Sequence, residues 1–580
     1  MKVPGDRGAN VALSALVALV VVSPWPMGGA PPWAARTLTV VALAASALVL
    51  GPQALKGRVA FPPKVYWPLY GLLGLSAFQL VPMPPALHAL VAPGSYSLWH
   101  PSDPAAAAVL GPGWRPVSVH PSATIEWMAW VTGLLMLSTL AVPALKERRL
   151  AVRAAVVVIV GGLVVAVYGI VARTLFGSLL FGKVAVPTVS PFGPFVSKNH
   201  FSGYVEMVAL LAMGWALGLM EEARRDRGML SWVGSSRAGR VLAALGVAAA
   251  LALAVPVSQS RGGVLSLIAG LATLLVLVAR RGQTGAPQRR RWMAAGIGLL
   301  MLIIAAQALL PPAVNQRMAT LTSSSPDTSS AYRLGLWRDT LRAFAASPVA
   351  GQGLGAFPDA LARYKQQNGE LRVEHAENDY LEVLVEGGVV AALALATFLW
   401  LLYRSVPKAS SHRGVEHGLR LGATAAGVAL VIHALVDFNL HIPASASLAC
   451  FLLALVSGGV ETRLQGARGA RVLGLCGLVA LALVAGGMLS IPSPAAATPA
   501  LDESGRSGLR ARHSEIALRA HLQQRPADAE AWAWLAWLRA TAGARAEGIS
   551  LAAHAARLDP TRQVLRSFAE SLDRSRGGGA

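Results

Sequence analysis

Cysteine is almost absent. Cys450 and Cys476 are the only two in 580 residues, and both sit inside apolar runs, which leaves no disulfide framework and no thiolate metal site. Charge is scarce as well, at 14% of the chain, and it leans one way, with 51 Lys and Arg against 29 Asp and Glu for a net of +22. In a soluble protein that excess would point to nucleic acid. Here the basic residues cluster in short loops between apolar runs, where they set membrane orientation, so no nucleic-acid partner is expected. A convincing nucleotide loop is missing too: Gly351-x-Gly353-x-Gly355 reads as a tight turn after Pro348, and no cofactor is expected.

What the chain does have is apolar length. Hydrophobic residues make up 54% of it, mean hydropathy is +0.52, and runs of ~20 apolar residues recur. These features predict an all-α fold, a polytopic transmembrane bundle of about thirteen spans. The runs centre near Val17, Ala44, Leu73, Leu134, Val160, Leu211, Ala248, Leu271, Leu302, Leu395, Val428, Leu453 and Leu481. Lys2 and Arg7 before the run from Val11 to Val22 imitate a signal peptide, and the run reads as an uncleaved first span. Alternating sides collects Lys56, Arg58, Lys146, Arg148, Arg149, Arg224, Arg225, Arg280, Arg281, Arg404, Lys408 and Arg468 on one face. That face is cytoplasmic by the positive-inside rule.

The opposite face receives every stretch with chemical interest. Four segments follow: 1–190, N-terminal membrane helices with an external loop at 83–123; 191–460, a membrane region with a large external loop at 311–386; 461–491, the last span; and 492–580, a linker and helical tail. In the tail, the run from Ala531 to Leu538 and the run from Ala552 to Pro560 have the spacing of a tetratricopeptide helix pair. One such repeat is too short for a self-sufficient solenoid, so it either binds a partner in the envelope or packs on its own membrane domain.

Within 332–388 the polar residues are dense, and a loop beyond ~12–15 residues is usually functional. It carries Arg333, Trp337, Arg338, His375, Glu377, Asn378, Asp379, Tyr380 and Glu386. Elsewhere, Ser258-Gln259-Ser260-Arg261-Gly262-Gly263 joins two spans with almost no loop and places a guanidinium at the membrane surface. An Arg there, with N–H groups opening the next helix, suits a lipid-linked phosphate or diphosphate, and the glycines would admit its close approach. Lys198, Asn199 and His200 precede another span on the same side. Arg173 and Glu206 are expected to pair, as buried charges rarely stand alone. His433 and Asp437, four apart on one helix face, either position a proton acceptor or lock two helices together. The alternation His375, Glu377, Asp379 does not make a metal site, because no second histidine cluster lies nearby.

Taken in order, these residues resemble the O-antigen ligase and O-antigen polymerase family of bacterial envelope glycosyltransferases. The resemblance rests on Asn199 after Lys198, on Ser260-Arg261-Gly262, and on Arg333, Trp337, Pro348-x-x-Gly351-x-Gly353, His375, Asn378, Tyr380-Leu381 and Glu386-x-Gly388, over roughly 190–460. In one departure, Glu377 stands directly before the Asn where many members carry His. The resemblance implies a metal-independent inverting transferase in the bacterial inner membrane, with its active site and tail on the periplasmic side. The donor would be an undecaprenyl-diphosphate-linked glycan, and the acceptor lipid A core or a growing polysaccharide. Arg261, Lys198, Arg333 and Arg338 would hold the donor diphosphate, with Asn199, His200, Asn378, Tyr380 and Asp437 in support. His375 would be the base, because a neutral imidazole accepts a proton at ordinary pH, with Glu377 orienting it or the acceptor.

Polymerisation of lipid-linked repeat units is the near alternative to ligation. A polysaccharide transporter would show polar or broken spans near the midplane or an inverted repeat, and a non-catalytic scaffold would not need the Arg/His set. The topology is directly testable. Reporter fusions after Arg291 and after Gly369 should label opposite compartments, and a shared compartment would overturn the side assigned to the polar segment.

Overall fold

The computed structural model of the protein describes residues 7–59, 61–186, 190–223, 236–279, 328–367, 369–405, 414–458, 467–491 and 508–574. Among them the chain is all-α, with 21 helices and no strand. Nine helices are long and apolar enough to cross a membrane, including Pro32–Leu55, Arg148–Phe176, Lys198–Ala223, Arg261–Ala279, Asp379–Ser405 and Val415–His433. Three further apolar runs fold as shorter helices, Arg7–Val22, Trp67–Leu80 and Pro443–Ser457, of 16, 14 and 15 residues. The run centred near Leu302 lies outside the described residues, as do Arg224, Arg225, Arg280, Arg281 and Lys408.

Two compact units emerge from the chain: Met1–Trp67 with Thr132–Ser325 and Phe398–Leu481, and Pro68–Val131 with Pro326–Thr397 and Ala482–Ala580. At the centre of the first are Lys198–Ala223 and Val415–His433, the former 78% buried over its apolar window and so an interior helix rather than a lipid-facing one. Their backbones meet directly, because a Cβ on Gly214 would come within 2.3 Å of the Gly418 carbonyl oxygen. With lipid as apolar as the side chains, such close backbone packing is what holds membrane helices together. At one end of the pair, Glu221 and Glu222 accept hydrogen bonds from the amides of Gly414 and Val415, both at 3.1 Å, and so satisfy two donors that the helix start would leave open.

In the second unit a turn and a kink are built against each other. Gly351 and Gly353 have φ of +67° and +117°, and a Cβ on Gly351 would lie 2.3 Å from the Glu386 carbonyl. The glycines therefore serve backbone packing, as the tight-turn reading expects. The amides of Gln352 and Gly353 donate to the Glu386 carbonyl at 3.2 and 2.9 Å, and Gln79 Nε2 donates to it at 2.8 Å. Two residues on, Gly388 takes φ +63° and breaks the Asp379–Ser405 helix into two arms. Val389 N then donates to the Pro348 carbonyl at 2.8 Å, tying the second arm to the same turn.

The tail consists of helices Gly508–Leu522, Ala529–Thr541, Arg545–Leu558 and Gln563–Arg574. Of the two readings offered for it, packing on its own chain is what the structure contains. Trp532 is wholly buried, with the His554 ring edge-on at 4.9 Å, in a core that also holds Leu98, Val109, Leu336 and Phe357. Polar clasps reinforce this core. Asp103 caps the Pro104–Leu110 helix and accepts from Ser550 at 2.8 Å and Arg557 at 3.2 Å. Lys365 Nζ meets Asp559 at 3.0 Å. Buried Asp359 receives His120 at 2.7 Å and Arg525 at 2.8 Å.

Burial by itself would raise the pKa of Asp359, but His120, then Arg525 and Arg372, outweigh it and hold the carboxyl far below its ordinary range. A depressed carboxyl stabilises the fold fully above its unfolded pKa of ~3.9, and that contribution falls away as the pH drops below it toward the folded value. Asp359→Asn removes one of the two carboxylates that Arg525 meets, Asp528 at 3.3 Å being the other, and should cost about 1–3 kcal/mol. Hydrogen exchange in Ala529–Thr541 is expected to accelerate in this variant at pH 7; unchanged protection would show that the clasp does not hold the tail.

Candidate functional site

In the first unit, Ser197 caps the Lys198–Ala223 helix by accepting from Asn199 N at 3.2 Å, which leaves Lys198 and Asn199 half-buried at its first turn. His200 is buried, with Nε2 3.5 Å from Asp437 Oδ1 and its ring edge-on to Phe438 at 4.6 Å. Glu206 does not pair with Arg173 as expected. Its carboxylate lies 3.0 Å from His433 Nδ1, and both groups are fully buried. The Val415–His433 helix stops at His433, so Asp437 follows in the turn beyond it and not on the same helix face. It still reaches His433 Nε2, at 3.7 Å. Burial would raise the pKa of Asp437, but His200 and then His433 outweigh it and lower it. The outcome is a buried series Glu206, His433, Asp437, His200, which joins two helices.

Arg261 opens the Arg261–Ala279 helix, after Gln259 at φ +63° and with Ser260 Oγ accepting from Gly263 N at 3.2 Å. The guanidinium-bearing residue is half-buried at the helix start, as expected. Its two glycines give room to neighbouring helices. A Cβ on Gly262 would stand 3.0 Å from His433 Nε2, and one on Gly263 would overlap Ser202 Oγ and lie 3.3 Å from Glu206 Oε2.

The second unit places His375, Glu377, Asn378 and Tyr380 at the start of the Asp379–Ser405 helix. Asn378 Oδ1 accepts from the amides of Tyr380 and Leu381 at 3.0 and 3.1 Å, so this Asn is the helix cap, and the ring of Tyr380 is half-buried. Glu377, at φ +54°, turns back to Arg333 at 3.2 Å. Trp337 Nε1 donates to the Ala376 carbonyl at 3.1 Å, pinning the same short run to the Thr328–Ala345 helix. Arg338 is exposed, and five residues from Arg333 put it ~140° round the helix. The two arginines therefore leave the helix in different directions.

The carboxylate that orients His375 is not Glu377 but Glu382, which lies 2.9 Å from Nδ1 and is 1% exposed against 28% for the imidazole. Its second oxygen accepts from Ala376 N at 2.9 Å, so Glu382 is fixed from two sides. With Glu382 ionised, Nδ1 donates to it and Nε2 is the basic nitrogen, the arrangement by which a buried carboxylate sets a histidine's tautomer. Sequence reasoning passed over Glu382. A signal was present: Asp379, Glu382 and Glu386, all buried, recur at i, i+3 and i+7 on one face of an otherwise apolar helix.

Fold and membrane-crossing helices together define a multi-pass, all-α membrane protein. Residues 246–396 match the O-antigen ligase family model. The match takes in Arg261, Arg333, Arg338, His375, Glu377, Asn378 and Tyr380, and leaves Lys198, Asn199, His200 and Asp437 outside. No curated protein and no solved structure matches the chain. The family supports a membrane function of the O-antigen ligase or polymerase type, acting on lipid-linked glycans and saccharide acceptors.

The two carboxylates near His375 have different partners, Glu382 meeting the imidazole and Glu377 meeting Arg333. Glu382→Gln should lower glycan transfer on the order of 10²-fold, as His375→Ala should, because the imidazole loses its orienting acceptor. Glu377→Gln should cost less, since it releases only a half-exposed pair with Arg333. Transfer measured in purified membranes checks this; a dead Glu377→Gln beside an active His375→Ala would reverse the roles.

Proposed function

We propose that the protein transfers a glycan from a polyprenyl diphosphate carrier to an acceptor hydroxyl by ligase-type chemistry on the periplasmic face of the bacterial inner membrane. The observation that carries this reading is the His375–Glu382 pair, an imidazole held 2.9 Å from a buried carboxyl group inside the matched segment. In the proposed step the acceptor O–H gives its proton to His375 Nε2 as the oxygen attacks the anomeric carbon. The carbon–oxygen bond to phosphate breaks with inversion, and its electron pair leaves on the diphosphate. The diphosphate is its own leaving group, so the protein has to supply a base and cations for the departing charge.

Arg261 is the residue we assign to that charge, because it combines a guanidinium with a helix start at the end of a membrane span. Arg333 is already tied to Glu377, which reduces what it can offer. The positive-inside rule, by which loops rich in Lys and Arg face the cytoplasm, supports the side assigned.

Arg261→Ala should abolish transfer in protein that still inserts, and Arg261→Lys should do nearly as much, since an ammonium does not reproduce bidentate phosphate contacts. Normal transfer by well-expressed Arg261→Ala would remove the role. A deletion strain should accumulate undecorated lipid A core. Accumulation of single lipid-linked repeat units would make the protein a polymerase instead.

A further inference from the structure

Apart from His375, the second unit holds a cavity of about 650 Å³ whose wall is cationic and polar. It lies where the Thr328–Ala345 helix, the run from Arg363 to Gly369 and the tail segment from Pro560 to Arg566 come together. Arg342, Arg363, Lys365 and Arg566 line it with Tyr364 and Gln367, and no carboxylate does. Its volume is in the ~300–1,000 Å³ range of small-ligand sites.

The four cations are not equivalent. Arg342 has Asp339 at 2.6 Å and Lys365 has Asp559 at 3.0 Å, so each brings its own counter-charge. Among the described residues neither Arg363 nor Arg566 has a carboxylate within ion-pair distance, and the wall keeps two uncompensated charges. Arg363 is also rigid. Its guanidinium lies 4.8 Å from the Tyr364 ring centroid, Nη1 donates to Ser97 Oγ at 2.8 Å, and Nη2 donates to the Gly94 carbonyl at 2.5 Å. Among the described residues its buried Nε–H meets no acceptor. A fixed guanidinium with an unused donor, an exposed second guanidinium and side-chain amides beside a phenol ring form a recognition surface for a polar, negatively charged molecule.

We propose that this cavity binds an anionic saccharide, with Arg363 and Arg566 taking its carboxylate or phosphate groups and Gln366 and Gln367 its hydroxyls. The inference rests on the glycan-transfer function proposed above only for the class of ligand, and it makes the tail a part of substrate recognition. The cavity wall is shared between the tail and the 328–369 segment, so docking of the tail and binding of the saccharide are linked.

The test is equilibrium binding of three probes to full-length protein in detergent: an oligogalacturonate, a hexose phosphate and a neutral malto-oligosaccharide. At least one anionic probe should bind, more weakly as salt rises, and the neutral one should not. Arg566→Glu, on an exposed helix face, should weaken that binding by about tenfold or more. Which anionic probe binds tells carboxylate from phosphate recognition. Failure of both anionic probes, equal binding of the neutral one, or unchanged affinity in folded Arg566→Glu would overturn the proposal. Binding without turnover is read here, so loss of transferase activity in any variant leaves the result untouched and the two readings fail separately.

Discussion

One residue, Glu386, holds the second unit's working parts in register. Its carbonyl receives the amides of Gln352 and Gly353 and the side chain of Gln79, while its carboxylate accepts from Phe357 N at 3.1 Å. Five elements are thereby tied to one position: the end of Trp67–Leu80, the glycine turn, the start of Phe357–Leu361, and both arms of the kinked Asp379–Ser405 helix. The helix arm so fixed is the one that presents Glu382 to His375. A buried carboxylate is costly unless it is hydrogen-bonded, and here that requirement binds the start of Phe357–Leu361 to the helix, while the carbonyl binds the turn.

The same economy of buried charge runs through the first unit. Glu206 is wholly inside a membrane-crossing helix, where an isolated carboxylate would be strongly disfavoured. His433 stands against it and Asp437 and His200 continue the series, so ionisable groups in the interior neutralise one another in pairs. Gly262 and Gly263 lie against this series, since a side chain at Gly262 would crowd the His433 imidazole and one at Gly263 would strike Ser202 beside Glu206. The Ser-Arg-Gly-Gly sequence is thus a packing motif on its glycine side, and Arg261 alone carries the case for an anion.

Aspartates play the equivalent part in the tail. Asp103, Asp359 and Asp559 each sit at a junction between the tail and the rest of its unit, and each is met by cations or hydroxyls from the other side. The apolar core around Trp532 supplies the driving force of burial, while these clasps fix which surface is buried. A helical tail of this length has too little core of its own to stand apart, which is why it shares one with Leu336 and Phe357.

Composition and periodicity by themselves determined the fold class, the approximate spans and the tight turn at Gly351. Those properties are local: a run of ~20 apolar residues or a glycine forced to positive φ is visible within a short window. The partners were not visible. Glu377 seemed the natural companion of His375 at two residues' distance, yet a helix cap at Asn378 turns the chain so that Glu382 reaches the imidazole and Glu377 swings to Arg333. Glu206 and His433 are 227 residues apart, Lys365 and Asp559 are 194 apart, and no pattern along the chain links either pair. Which buried charge meets which is settled by helix packing, and that is decided only when distant segments share one interior.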